Sequence, residues 1–152
     1  MEQLMLNMEE DPCEADIQTI FNGLLADHAA NGHVRDPKKL AVFVRDTNNR
    51  VCGGLIGSTL WDHLIIDKLW VDEKLRGRGY GVKILQAAEE EAVRRGCNYS
   101  HTDTFSWQAL SFYQKLGYEV YAELKNFPEE HCLHYIRKKL IPVVKTCERT
   151  RE

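Results

Sequence analysis

Arg76-Gly77-Arg78-Gly79-Tyr80-Gly81 places three alternating glycines and two arginines directly ahead of a helical pattern. A helix N-terminus offers N–H donors that have no intrahelical acceptor, together with a partial positive charge, and glycine lets those donors come close to an anion. Arg76 and Arg78 add charge-assisted donors for the same anion. The chemistry these residues suit is the grip of a pyrophosphate. Two other phosphate cradles do not fit. A G-x-G-x-x-G fingerprint would need its third glycine at Val82, and a G-K-[ST] loop fails because Gly81 is followed by Val82-Lys83-Ile84.

Elements must hold this loop in place. Gln3 to Met8 reads as a short first strand. Ile17, Ile20, Phe21, Leu24 and Leu25 recur at helical spacing from Glu14 to about Ala30, and Asn31-Gly32 ends the run. Leu40 to Arg45 is β-rich and turns at Asp46-Thr47-Asn48-Asn49 into a strand over Val51 to Leu60. Gly53, Gly54 and Gly57 mark a bulge or a close backbone approach there. A third strand, His63 to Val71, delivers the glycine segment.

The helix that follows has Val82, Leu85, Ala88 and Ala92 on one face. Its solvated side offers the pairs Glu90–Arg94 and Glu91–Arg95, and Gly96 follows its end. Asn98 to Thr104 reads as a strand, and Ser106 to Leu116 as a helix closed by Gly117. Tyr118 to Leu124 and Cys132 to Lys139 form a final strand pair. This order predicts an α/β domain with a mixed, partly parallel sheet and helices on its faces. The domain spans residues 1–140, and 141–152 read as a polar tail.

A chain of 152 residues fits one domain and carries 43% apolar and 28% charged residues. Its net charge of −3 argues against a general nucleic-acid binder. The five cysteines form no C-x-x-C, so neither a zinc site nor a disulfide framework is expected. No apolar run approaches the ~20 residues of a membrane span, and the opening residues lack signal-peptide character. The expectation is a reduced, cytoplasmic protein without metal or membrane attachment.

Taken with a second segment, the glycine loop carries a resemblance. Arg76 to Gly81 is similar to the R/Q-x-x-G-x-G/A signature of the GCN5-related N-acetyltransferases, the GNAT superfamily. Leu69-Trp70-Val71-Asp72-Glu73-Lys74-Leu75 resembles that family's central strand and its approach to the loop. Ala109-Leu110-Ser111-Phe112-Tyr113-Gln114-Lys115-Leu116-Gly117-Tyr118 resembles its A-x-x-F-Y-x-K-x-G-[FY] segment. The likeness covers roughly 41–140 and points to a small, bacterial-type single-domain member. It implies a central mixed sheet of six to seven strands, with helices on both faces and a splay between the central parallel strands.

The resemblance also implies acetyl-CoA as co-substrate. It assigns the diphosphate to Arg76, Gly77, Arg78, Gly79, Tyr80 and Gly81, and the pantetheine arm to the backbone of Leu69, Trp70 and Val71. Ser106, Ala109, Phe112, Tyr113 and Lys115 join the cofactor contacts, although Ser106 stands where the family usually has asparagine, and Gln108 is an alternative contact. The implied reaction is direct attack of an amine on the thioester. Tyr113 would protonate the leaving thiolate, since an ordinary tyrosine, pKa ~10, keeps its proton at neutral pH.

Asp67 is the first candidate for the base. Asp62, His63, His101 and Asp103 are further candidates, the last two sharing one strand face. Asp27, His28, His33, Glu129, Glu130 and His131 are candidate acceptor contacts. A small-molecule amine is the leading acceptor and a peptide or protein amine the second; no nucleic-acid partner is expected, and a homodimer through the sheet edge or late strands is compatible. The rival reading is a non-catalytic acyl-CoA-binding sensor.

Overall fold

The computed structural model describes residues 4–140. By internal contacts the chain divides into two compact units, Met1–Asp36 and Pro37–Glu152. The tail expected over 141–152 lies outside the described residues.

The first unit contains helix α1, Glu14–Ala30, with Asn31 as its C-cap and Gly32 at φ 80°. Acidic Glu14 and Asp16 in the first turn and His28 in the last complement the helix dipole. The strand expected over Gln3 to Met8 does not form in its described part: Leu4 to Met8 carry no regular secondary structure, and Leu4, Leu6 and Met8 lie at least 90% exposed. A strand persists only where its N–H and C=O groups find a partner edge, and this segment joins no ladder of the described sheet.

The second unit is a six-stranded sheet in the order β1-β2-β3-β4-β6-β5. Its strands are β1 Lys38–Arg45, β2 Val51–Leu60, β3 His63–Val71, β4 Tyr99–Phe105, β5 Glu119–Lys125 and β6 Cys132–Lys139. Only β3 and β4 are parallel; every other neighbouring pair is antiparallel. Helix α2, Tyr80–Arg94, crosses from β3 to β4, and the short α3, Leu110–Lys115, follows β4. The helix expected from Ser106 therefore starts later, because the Gln108 side chain accepts from the Phe105 N–H at 2.9 Å and folds 105–108 as a turn.

The core lies between α2 and one sheet face. Ile84, Leu85, Ala88 and Ala92 of α2 meet Leu55, Leu64, Ile66 and Ile136 of the sheet, all buried. The α2 end is tied down by Arg95, whose guanidinium donates to Glu91 at 2.9 Å, to the Lys39 carbonyl at 3.1 Å and to Thr59 Oγ1 at 3.2 Å. Glu91 binds both Arg94 and Arg95; the expected Glu91–Arg95 pair forms, and Arg94 joins the same carboxylate. A buried polar chain spans the rest of this layer. Ser100 Oγ lies 2.7 Å from the Tyr118 hydroxyl, which donates to Glu89 at 3.0 Å, and Lys138 donates to the same carboxylate at 2.8 Å.

Three register shifts interrupt the sheet; one leaves Cys52 as an extra residue on β2 opposite Val44 and Arg45, and the other two reach the site. Ile56 pairs with Lys68 while Gly57 pairs with Ile66, which leaves Asp67 as an extra residue on β3. Alternation flips across it: Leu64 and Ile66 face the core before the bulge, Leu69 and Val71 after it. On β5, Tyr121 is the extra residue between the pairs Val120–Ile136 and Ala122–Tyr135. The β3 bulge requires Gly57, because a Cβ there would collide with the Ile65 carbonyl oxygen. Gly57→Ala should therefore destabilise the fold by about 1–3 kcal/mol, an overpacking cost, seen as a lower urea midpoint at unchanged m-value.

Candidate active site

β3 and β4 pair at only three positions, His63–Tyr99, Leu64–Ser100 and Ile65–His101. One position further on, the Thr102 hydroxyl donates to the Ile66 carbonyl at 2.9 Å, and beyond it the strands part. The splay expected between the parallel strands is thus present, and two clefts open along it.

The first cleft, about 660 Å³, is lined by Leu69, Trp70 and Val71 of β3, the 75–77 and 79–82 stretch of the loop and α2, and Trp107, Gln108, Ala109 and Phe112. The loop is built locally. Asp72 caps a 3-10 turn over Glu73–Leu75 by accepting from the Lys74 N–H at 3.0 Å. Arg76 Nε donates to the Val71 carbonyl at 3.0 Å, folding the loop back on the strand end. Gly77 and Gly79 sit at φ 74° and 80°, where a side chain is strained, with open space at the Cβ positions. Gly79 is the N-cap of α2, and the Lys83 N–H closes the first turn on its carbonyl at 3.1 Å.

The first-turn N–H groups, from Tyr80 to Val82, precede that bond and have no intrahelical acceptor. Gly81 differs from the other two glycines: a Cβ there would stand 3.2 Å from the Phe112 ring, so it serves close packing of α2 against α3. Exposed amides, the terminal nitrogens of Arg76 and the nearby Arg78 form a donor set that fits a diphosphate.

The structure does not gather every residue proposed for the cofactor. Ser106 Oγ lies 3.1 Å from His131 Nδ1 and accepts from the Cys132 N–H, and like Arg78 and Lys115 it is not among the residues lining the cleft. Gln108 is, with its carbonyl oxygen committed to Phe105. Trp107 forms a wall, stacked on Phe105 at 4.5 Å.

The second cleft, about 460 Å³, starts where the first stops: Ile65, Ile66, Asp67 and Lys68 line it, facing His101, Thr102 and Asp103 of β4 and closed by Tyr121 and Tyr135. Asp67 and Tyr121 are the extra residues of the β3 and β5 bulges, so these two bulges feed side chains into one cavity. His101 and Asp103 share the face that strand alternation predicts. Tyr121 and Tyr135 escaped the sequence reading, because the β5 bulge arises from its register with β6 and leaves no local mark. Glu129, Glu130 and His131 occupy the β5–β6 turn, with His131 against Trp107 at 4.8 Å. Asp27, His28 and His33 belong to the other unit.

Tyr113 is buried, edge-on to Phe112 at 5.2 Å and to Tyr118 at 5.3 Å. Burial, helped by the Asp103 charge, pushes its phenol up to about 12. It neighbours Phe112 of the first cleft and feels a carboxylate of the second. Among the described residues no group of His, Cys, Asp and Glu could hold a metal ion, and no helix is long and apolar enough to cross a membrane.

Comparison with known proteins gives this geometry a family. Residues 4–118 match the model of the Acetyltransferase (GNAT) family. The chain belongs to that family. It is 35% identical over 101 residues to blasticidin-S acetyltransferase of Streptomyces morookaense, covering 66% of this chain and 74% of that protein. A crystal structure of an acetyltransferase from Bacillus cereus superposes with a TM-score of 0.78 at 30% identity, covering 88% of this chain and 98% of that one. Aminoglycoside 6'-N-acetyltransferase, solved with coenzyme A, shares the fold at a TM-score of 0.61 and 20% identity, over 70% of this chain and 76% of that one. The chain is an acetyl-CoA-dependent N-acetyltransferase, and acetyl-CoA is its co-substrate.

Acetyl-pantetheine lacks the diphosphate and isolates the loop's contribution. The pair Gly77→Ala and Gly79→Ala should weaken acetyl-CoA binding about tenfold or more, since each left-handed residue with a Cβ costs roughly 1–2 kcal/mol. Calorimetry should show acetyl-pantetheine affinity unchanged by the same substitutions.

Proposed function

We propose that this GNAT enzyme acetylates a primary amine of a small cationic molecule by direct attack on the thioester, with no acyl-enzyme. The observation that carries this reading is the meeting of the two clefts on β3. Residues 69–71 line one and 65–68 the other, so a donor in the first presents its acetyl end to the second.

In this reading the α2 N-terminus and Arg76 to Gly81 hold the diphosphate, and Leu69 to Val71 lie beside the pantetheine arm. A backbone N–H near Val71 faces the developing oxyanion, a kind of contact whose loss costs ~2.7–4 kcal/mol in other enzymes. Tyr113 protonates the departing thiolate. Its raised pKa makes it a weak acid but ensures that it carries a proton across the working range.

Asp67 and Asp103 give the acceptor cleft two carboxylates against the single ammonium of Lys68, which favours a cationic acceptor. Tyr121 and Tyr135 add aromatic surface on which a cation gains further attraction. The relative whose name specifies blasticidin S supports a small-molecule acceptor over a peptide.

The test is release of CoA thiol over a panel of blasticidin S, an aminoglycoside, spermidine and a lysine-containing peptide. Turnover should favour the small cations, and acetylation of the peptide alone would overturn the reading. Tyr113→Phe should lower kcat by about 10²-fold or more while leaving the acetyl-CoA Kd unchanged. Because the phenol titrates only at about 12, the wild-type kcat should show no descending limb from this residue up to about pH 10.

A further inference from the structure

An amine that arrives as an ammonium ion must lose a proton inside a half-closed cleft, and that proton needs both an acceptor and an exit. Carboxylates attract the ion, but an ordinary imidazole is a stronger base than an ordinary carboxylate. One imidazole lines the second cleft, that of His101. Resting on the acetyl-transfer reading above, we propose that His101 accepts the proton of the acceptor amine and passes it through His63 and Asp62 to solvent.

The groups form a graded line. His101 is half-buried in the cleft, and the His63 ring approaches it edge-on with centroids 5.4 Å apart. Rings at that separation are in edge contact, and the proposed transfer crosses this contact by a water held beside the pair. His63 Nδ1 lies 2.8 Å from Asp62 Oδ1, and the two side chains are 40% and 47% exposed, so the far end of the line reaches water.

The arrangement is fixed by elements on both sides of the splay. The Asp62 carbonyl accepts from the N–H groups of Asn98 and Tyr99 at 2.8 and 3.1 Å, which ties the β3 entrance to the start of β4. His63 stacks on the Tyr99 ring at 5.0 Å. Neither contact serves the cofactor cleft, and both hold the His63 ring beside His101.

Electrostatics agree with the direction of transfer. Burial, and then the His63 charge, lower the His101 pKa, so its imidazole is neutral and ready to accept near pH 7. The hydrogen bond from His63 lowers the Asp62 carboxyl and keeps it ionised at the exit. Other charges face His101 from each neighbouring strand. Arg137, directly opposite on β6, is engaged by Glu119 of β5 at 3.2 Å and lies over Tyr121 at 5.3 Å. Lys68 on β3 donates to the Asp67 carbonyl at 3.2 Å, and Asp67 and Asp103 stand in the cleft with Tyr135.

Over one turnover the ammonium gives one proton to His101, and the neutral amine forms the C–N bond. The C–S bond breaks, the thiolate takes the Tyr113 proton, and the second amine proton restores Tyr113. One proton therefore leaves per amide formed, by the His101–His63–Asp62 line.

The test uses the full chain with whichever panel amine it acetylates. His101→Gln should lower kcat by about 10²-fold or more and remove the rise of activity with pH below neutrality, at unchanged acetyl-CoA Kd. His63→Gln and Asp62→Asn should lose less, and added imidazole buffer should restore them. Full activity and an intact acid limb in His101→Gln, or no buffer rescue of His63→Gln, would overturn the relay while leaving acetyl transfer standing. Should no amine be acetylated, NMR titration still decides. His63→Gln should raise the His101 midpoint by removing a neighbouring cation, and an unmoved midpoint would overturn the coupling.

Discussion

The parting of β3 from β4 after Ile65 and His101 is the constraint on which the site depends. Backbone N–H and C=O groups are obligatory hydrogen-bonding groups, and a central strand normally spends them on both neighbours. From Asp67 onward β3 spends one side on β2 and leaves the other facing a cleft. An extended donor arm laid along that side meets a row of backbone groups already held rigid by the sheet. The cost of opening the sheet is contained by packing and hydrogen-bond anchors on each side. α2 is packed under β1, β2 and β3, and the Ser100–Tyr118–Glu89–Lys138 chain binds β4 and β6 to the same helix.

The glycine loop and the bulge divide the work of positioning. Arg76 bonded to the Val71 carbonyl couples the glycine loop to the strand end, so the proposed placement refers the diphosphate and the thioester to one rigid element. The Asp67 bulge then switches the face of β3. Leu69 and Val71 return to the core, and the residues just before them line the second cleft. One extra residue thereby separates the linings of the two clefts along a single strand. Re-aiming of side chains beside active sites is a common use of bulges.

Much of this was legible because it was local. The limits of α1, β2, β3 and β6 follow from periodicity and turn residues, and they match the observed spans. The loop was legible because three alternating glycines before a helix have few structural uses, although their separate reasons, strain at Gly77 and Gly79 and packing at Gly81, needed the fold. What could not be read depends on partners distant in sequence. The fate of Leu4 to Met8 turns on whether an edge is available, which composition does not encode. The start of α3 turns on the Gln108 side chain reaching Phe105. The Tyr121 bulge turns on the register of β5 with β6, so two aromatic walls of the second cleft carry no local sequence signal.

The two tyrosines behind the first cleft show how burial separates roles among like groups. Tyr118 is satisfied by Ser100 and Glu89, and burial with the Glu89 charge raises its pKa strongly, so its proton is held in a structural chain. Tyr113 is packed against it, and its pKa is raised less far, with Asp103 of the second cleft as the second cause. Of the two, Tyr113 is the readier donor, and its neighbours Phe112 and Asp103 belong to different clefts. In the proposed mechanism Tyr113 stands between a leaving sulfur and an incoming amine, and such a group must keep its proton until negative charge develops on the sulfur. Burial without a strong acceptor gives that behaviour: the phenol is unwilling to ionise into the protein and able to give its proton to a thiolate beside it.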